Sequence, residues 1–184
     1  MNFKKFYEAA LTVICALVMT TTFTACGSDD DNDKGGGSDN KPVAASMNTV
    51  LSVGDDMLKY LDLIVDYYDA NGKIQSEALT ANKWEKTIKA NLPATLGVRL
   101  KAKLKDGVDP ASIELFNVKV SFTYGYNTLT ANDGILDVFA DGFGSSYNIK
   151  GSDIPEWLSE KGNKIEEILY NFDANGNHSK GSWQ

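Results

Sequence analysis

Cysteine is nearly missing from this chain. Its 184 residues hold two, Cys15 and Cys26, and none follows position 26. Everything beyond that point is therefore without disulfides, Cys-based metal sites or thiol nucleophiles. Histidine is scarcer still: His178 stands alone, which excludes a histidine-ligand metal cluster. A Ser–His–Asp triad would have to use it, yet the chain has no Gly-x-Ser-x-Gly elbow. Positive charge is in deficit, with 18 Lys and Arg against 25 Asp and Glu. That balance argues against nucleic acid, whose binding rests on neutralising phosphates, and against charge-driven docking on anionic lipid. The apolar run Leu11–Met19, broken only by Thr12, falls short of the roughly 20 residues a spanning helix needs.

What is present begins at the N-terminus. Lys4 and Lys5 precede that apolar run, and Phe23-Thr24-Ala25 puts small residues just before Cys26. These are the three parts of a secretion signal over residues 1–25. Ser28-Asp29-Asp30-Asp31 follows at once. The stretch Thr24–Asp31 resembles a bacterial lipobox followed by the acidic surface-export signal of Bacteroidetes lipoproteins, with Phe23 where that family usually has Leu. The resemblance implies that Cys26 becomes an acylated N-terminus, that outer-membrane lipid is its partner, and that the domain is displayed on the cell surface. Ordinary cleavage leaving a free thiol is the alternative for Cys26, and a solvated spacer is the alternative for the acids. Each buried methylene contributes about 0.8 kcal/mol, so two or three chains would anchor the protein without a transmembrane helix. Removing the leader takes away Lys4, Lys5 and Glu8 and leaves 16 basic against 24 acidic residues.

Residues 26–46 read as the lipidated cysteine and an acidic, Gly-rich linker with little to bury. Residues 47–184 are the size of one domain, and their dominant pattern is period-2 alternation. Leu96–Lys105 alternates apolar positions with Arg99, Lys101, Lys103 and Lys105, while Phe116–Tyr126 repeats the pattern with Asn117, Lys119, Ser121 and Thr123 opposite. Met57–Tyr68 is apolar on both faces and predicts a central strand. Weaker strands are expected at 72–79, 83–90, 134–139, 164–172 and after Asn177, with a helical turn near Ala81–Lys86 as another reading. One helix is expected at Ile154–Lys161, with Ser152 or Asp153 as cap, Pro155 in the first turn and Gly162 at its end. The expected fold is all-β: an antiparallel sandwich of about 7–8 strands with one short helix. An α+β arrangement and a barrel-like sheet are the alternatives.

Tyr68-Asp69-Ala70-Asn71-Gly72 recurs as Phe172-Asp173-Ala174-Asn175-Gly176. Asn-Gly suits a tight hairpin, and a leading Asp can bond the following backbone N–H groups. Convergent turn chemistry and a duplicated unit both fit. Asp173-x-Asn175-x-Asn177 also matches the start of a calcium loop, but His178 stands where the loop needs Gly and Gln184 where it needs Glu. No metal or cofactor is expected.

Candidate site residues are few. Phe143 and Tyr147 sit in a Gly- and Ser-rich segment that reads as a loop, and with Trp157 they are candidates for a sugar-stacking surface, core packing being the other reading. Arg99, Lys101, Lys103 and Lys105 form a basic stripe, either a patch for an acidic partner or a strand face kept soluble by its charges. The carboxylate pairs Asp55-Asp56 and Glu166-Glu167 do not converge if they lie on strands, and Asp62 and Asp66 fall roughly 13 Å apart on one strand face. The sequence thus points to a surface-exposed, lipid-anchored binding module for a glycan or protein ligand. Two coplanar exposed aromatics beside a groove would favour it. An exposed apolar edge strand would favour an envelope assembly protein, and facing carboxylates within about 10 Å a hydrolase.

Overall fold

A computed structural model describes residues 40–183. The signal peptide, Cys26 and the acidic residues Ser28, Asp29, Asp30 and Asp31 lie outside them. Nine strands run in the order β1 (Ala44–Val53), β2 (Leu61–Tyr68), β3 (Ile74–Leu79), β4 (Lys83–Asn91), β5 (Ala94–Leu104), β6 (Leu115–Leu129), β7 (Ile135–Lys150), β8 (Glu166–Phe172) and β9 (His178–Lys180). Helix α1 spans Asp55–Tyr60 and helix α2 spans Ile154–Lys161. The strands form a four-stranded sheet, β4-β1-β6-β7, and a five-stranded sheet, β3-β2-β5-β8-β9. Every pairing is antiparallel. The fold is the all-β sandwich that the alternation predicts.

The core lies between the sheets. Met47 and Leu51 of β1, Leu96, Val98 and Leu100 of β5, and Phe116, Val118 and Phe122 of β6 are each at most 1% exposed. A second, aromatic layer closes the side between β7 and β8: Tyr126 stacks on Phe139 at 4.9 Å, meets Tyr170 at 4.6 Å and takes His178 edge-on at 4.8 Å. Among the described residues no helix is long and apolar enough to cross a membrane.

Three local readings change. The domain starts at Ala44 rather than Met47, because β1 is a buried interior strand from its first residue. Its alternation is masked in sequence by Thr49, which points inward and is 1% exposed. Met57–Tyr68 is not one strand: its first residues complete α1, where Asp55 and Asp56 occupy the positive end of the helix dipole. Asp56 also accepts a hydrogen bond from Asn117 N at 2.8 Å, which ties the helix to β6. The strand that follows, β2, is interior, but β5 holds the middle of the sheet. The strand expected at 83–90 is β4, and the helical alternative near Ala81–Lys86 is not adopted. Finally, the Gly- and Ser-rich loop at 142–147 is part of β7, paired with β6 throughout. Glycine and serine are weak strand formers alone, but the 15 residues of β6 supply a template that overrides local propensity.

Helix α2 forms where expected and ends at Gly162, although the expected cap is unused. Asp153 sits at the N-cap position without bonding the helix, because its carboxylate accepts from Ser152 Oγ at 3.0 Å instead.

The two Asp-Ala-Asn-Gly turns have one geometry. Asp69 Oδ1 accepts from the backbone N of Asn71 and Lys73, both at 2.9 Å. Asp173 Oδ1 accepts from Asn175 N and Asn177 N at 2.8 and 2.9 Å. Only the glycines have positive φ, 71° at Gly72 and 82° at Gly176, so each loop is a turn closed by a left-handed glycine. The carboxylates serve their own turns, which accounts for the calcium-like spacing. The hairpins leave β2 and β8 on opposite sides of β5. Tyr68 lies beside Trp183, outside the sandwich, whereas Phe172 is buried inside it. The two copies thus turn opposite faces to the core, which favours shared turn chemistry over a duplicated unit. Replacing Gly72 by Ala, where the added carbon meets nothing within 4 Å, is expected to cost about 1–2 kcal/mol for the left-handed backbone alone. The same change at Gly176 should cost more, because the carbon would lie 2.9 Å from Pro42 Cγ. Paired urea titrations would check that order.

Candidate functional site

Two clefts open on opposite ends of the sandwich. The first, about 430 Å³, lies beside the β2–β3 turn, the β4–β5 connection and the end of β8. Antiparallel pairing brings these together: β2 and β8 both run towards the end where β5 begins, with Ala94 opposite Phe172 and Val98 opposite Tyr67. Tyr68, Asn71, Asn91, Pro93, Thr95 and Asn171 supply most of its chemistry. No Asp, Glu, Lys, Arg or His lines it.

Each of these side chains is held by local structure. Asn71 sits on the turn fixed by Asp69. Thr95 Oγ1 donates to Asn171 Oδ1 at 2.9 Å across the β5–β8 ladder, leaving the Asn171 amide N–H groups to donate elsewhere. The Tyr68 ring is propped by Trp183, with centroids 4.9 Å apart. Asn91 ends β4 just before the cis Leu92–Pro93 peptide. Asn71 and Asn91 are exposed. Amides of this kind both donate and accept, as vicinal hydroxyls do.

The second cleft, about 410 Å³, lies between β7, α2 and the start of β8. It contains two of the three aromatic residues the sequence singles out. Trp157 Nε1 donates to Tyr147 Oη at 2.9 Å. Tyr147 is 43% exposed, but Trp157 is 9% exposed and packs against Phe116 at 6.1 Å. Trp157 thus gives its face to the core and only its indole N–H to Tyr147. Phe143 does not line this cleft; its ring stacks on Phe122 at 5.3 Å. The cleft walls are charged, with Lys161, Lys164, Glu166 and Glu167. Burial raises the Glu166 carboxyl above its ordinary value, opposed by Lys161, and Lys164 pairs with Glu167 at 2.6 Å. Glu166 is thus the carboxyl of this cleft that burial holds protonated to higher pH, beside the ion-paired Glu167.

The basic stripe is placed on β5 as expected, but it is neutralised by the neighbouring strand. Asp66 lies directly opposite Arg99, and Asp62 directly opposite Lys103. Asp66 Oδ2 accepts from Arg99 at 2.9 Å and Lys101 at 2.8 Å, and Asp62 meets Lys103 at 3.1 Å. Lys105 donates to the Leu58 carbonyl at 2.5 Å. Trp183 lies over the Arg99 guanidinium at 4.7 Å. The stripe is a paired, partly covered face rather than an open cationic groove.

Comparison with family models, curated proteins and solved structures finds no match. The sites therefore stand on their own chemistry. The amide-lined cleft was missed in the sequence because its residues come from three separate segments. Its only advance signal is the placing of asparagines at strand ends, Asn71 in the first repeated turn, Asn91 and Asn171.

Proposed function

We infer that this chain is a surface-displayed, lipid-anchored binding module that holds a neutral, hydroxyl-rich ligand, a glycan, in the amide-lined cleft. One observation carries the reading: the cleft is concave and polar, yet lined by no ionisable side chain except Tyr68. A charged ligand would find no counter-ion there, whereas sugar hydroxyls match carboxamides and a hydroxyl in both donor and acceptor count. Tyr68 adds an aromatic surface for the apolar face of a sugar ring. The lining holds no carboxylate, so it supports binding rather than glycoside cleavage. The lipobox-like segment at Cys26 and the acids after it supply the display half of the proposal.

Calorimetric titration with neutral oligosaccharides tests this. Binding should be nearly insensitive to salt, since no ion pair forms. Asn71→Ala and Asn171→Ala should each weaken it about tenfold, the loss of roughly one good hydrogen bond. Arg99→Ser with Lys101→Ser should leave it unchanged. Binding restricted to acidic glycans, or indifferent to Asn71 and Asn171, would remove the proposal.

A second reading, an assembly protein of the cell envelope, is favoured by the exposed apolar edge of β7.

A further inference from the structure

The two ends of the sandwich differ in chemistry. One end gathers the β2–β3, β4–β5, β6–β7 and β8–β9 connections, and the chain enters the domain there as well. Val43 N donates to Leu129 O at 2.8 Å and Leu92 N donates to Val43 O at 2.9 Å, which seats the entering segment between β4 and β6. Six of the eight large apolar side chains exposed among the described residues lie at this end: Val43, Ile74, Ile135, Leu136, Val138 and Phe139. All but Ile74 gather where β7 begins, because Val43 is bonded to Leu129 and Leu129 is paired with Ile135. Soluble monomers rarely expose a contiguous apolar patch unless something binds there.

The carboxylates of this end are mostly occupied. Asp69 and Asp173 accept from their own turns, and Asp133 pairs with Lys89, so Asp137 is the carboxylate set within the apolar group. The opposite end carries Asp106, Asp109, Glu114, Asp153 and Glu156, all of them exposed. The first end is built to lose water and the second to keep it.

The tether selects what covers the apolar end. Cys26 precedes Asn40 by 14 residues, a stretch that cannot span more than about 50 Å even fully extended. On the reading that Cys26 is acylated, on which this inference rests, the tether joins the domain at its apolar end. The surface nearest that end is therefore the bilayer that holds the anchor.

We propose that Val43 and the start of β7 rest on the bilayer in which Cys26 is anchored, with Ile135, Leu136, Val138 and Phe139 at the boundary between head groups and acyl chains. The tether makes this contact intramolecular in effect, so a patch too small to hold a free protein on a membrane suffices. The contact is shallow, as for other interfacial elements, and Asp137 keeps its water among the head groups. The attraction is hydrophobic, so the negative balance of the chain does not oppose a zwitterionic lipid. The amide-lined cleft shares no residue with the contact, which leaves glycan binding and docking as separate properties.

Full-length chain reconstituted through its own anchor into phosphatidylcholine vesicles tests the docking. An environment-sensitive fluorophore is attached at Leu136→Cys or, as the control at the other end, at Leu115→Cys. Both side chains are exposed, so neither change disturbs the core, and the unaltered chain sets the labelling background from Cys15 and Cys26. A nitroxide-bearing lipid should quench the label at position 136 several-fold more than the label at 115, at low and high salt alike. Adding Ile135→Glu and Val138→Glu, both at exposed positions, should abolish that difference without moving the melting temperature. Equal quenching at the two positions in an acylated chain would overturn the proposal, as would quenching that survives both glutamates. Shielding from water without quenching by the lipid would also overturn it, since a second copy would then cover the patch. A chain that mass spectrometry shows to be unacylated, and that leaves the membrane fraction, would instead remove the anchor reading and this docking with it.

Discussion

Replacing Asp66 by Ala is expected to lower the free energy of unfolding by about 3 kcal/mol, the scale for removing one partner from a buried charge pair. The Asp66 side chain is 2% exposed and holds two cations at once, Arg99 and Lys101, which are 17% and 29% exposed. Ser76 Oγ donates a third bond to it at 2.7 Å. Without the carboxylate, two largely buried positive charges lie side by side on β5 having lost the counter-ion they share. The contrast is Asp62, on the same face of the same strand. Its bridge to Lys103 joins side chains 42% and 64% exposed, and exposed pairs contribute between 0 and about 1 kcal/mol. If Asp66→Ala costs no more than Asp62→Ala in urea titrations at pH 7, the buried charge cluster does not hold the outer face of this sheet.

The same cluster sets the sign of an acid dependence. Burial pushes the Asp66 carboxyl up, but hydrogen bonds from Lys101, Ser76 and Arg99 outweigh it and leave the group below its ordinary value. A carboxyl depressed in the folded state contributes stability that is complete above its unfolded pKa of about 4 and is lost as pH falls through the folded value. Asp66→Asn should therefore lower stability most at neutral pH, flatten the acid side of the stability profile, and leave its slope above pH 6 unchanged. A profile of unchanged shape would show that the carboxyl is not linked to folding.

These ion pairs also mark where sequence reading stops. The alternation of Arg99, Lys101 and Lys103 with apolar residues is visible along one segment, because side-chain period is a local property of a strand. The neutralising aspartates are not visible as partners. They lie 33 or more residues earlier, and only the β2–β5 register sets Asp66 against Arg99 and Asp62 against Lys103. The amide cleft was hidden for the same reason, since Asn71, Asn91, Thr95 and Asn171 share an end only once four strands are ordered. Strand β7 failed differently: glycines and serines signal a loop locally, and the template of β6 overrules them. Helix α2 was legible because Pro155 and Gly162 bound it within its own few residues.

Phe116→Ala is expected to be the most damaging single change in the core, at about 3–5 kcal/mol for deleting a buried aromatic side chain and leaving a cavity. Phe116 is fully buried. Its ring touches Tyr60 of α1 at 6.2 Å and Trp157 of α2 at 6.1 Å, so both helices lose their common support. Relaxation to fill the gap is limited, because Asp56 ties α1 to Asn117 N on one side and Gly162 O accepts from Ala102 N at 2.7 Å on the other. The damage should be confined to this end. The amide-lined cleft lies at the far end, where Ala44 pairs with both Asn91 and Leu129, and rigid strands separate the two. Under the glycan-binding proposal, a folded fraction of the variant should therefore bind with the affinity of the unaltered chain, once corrected for the unfolded population. Loss of binding per folded molecule would mean that the cleft depends on the α1–α2 end, and the ligand site would have to be sought beside Trp157 and Glu166 instead.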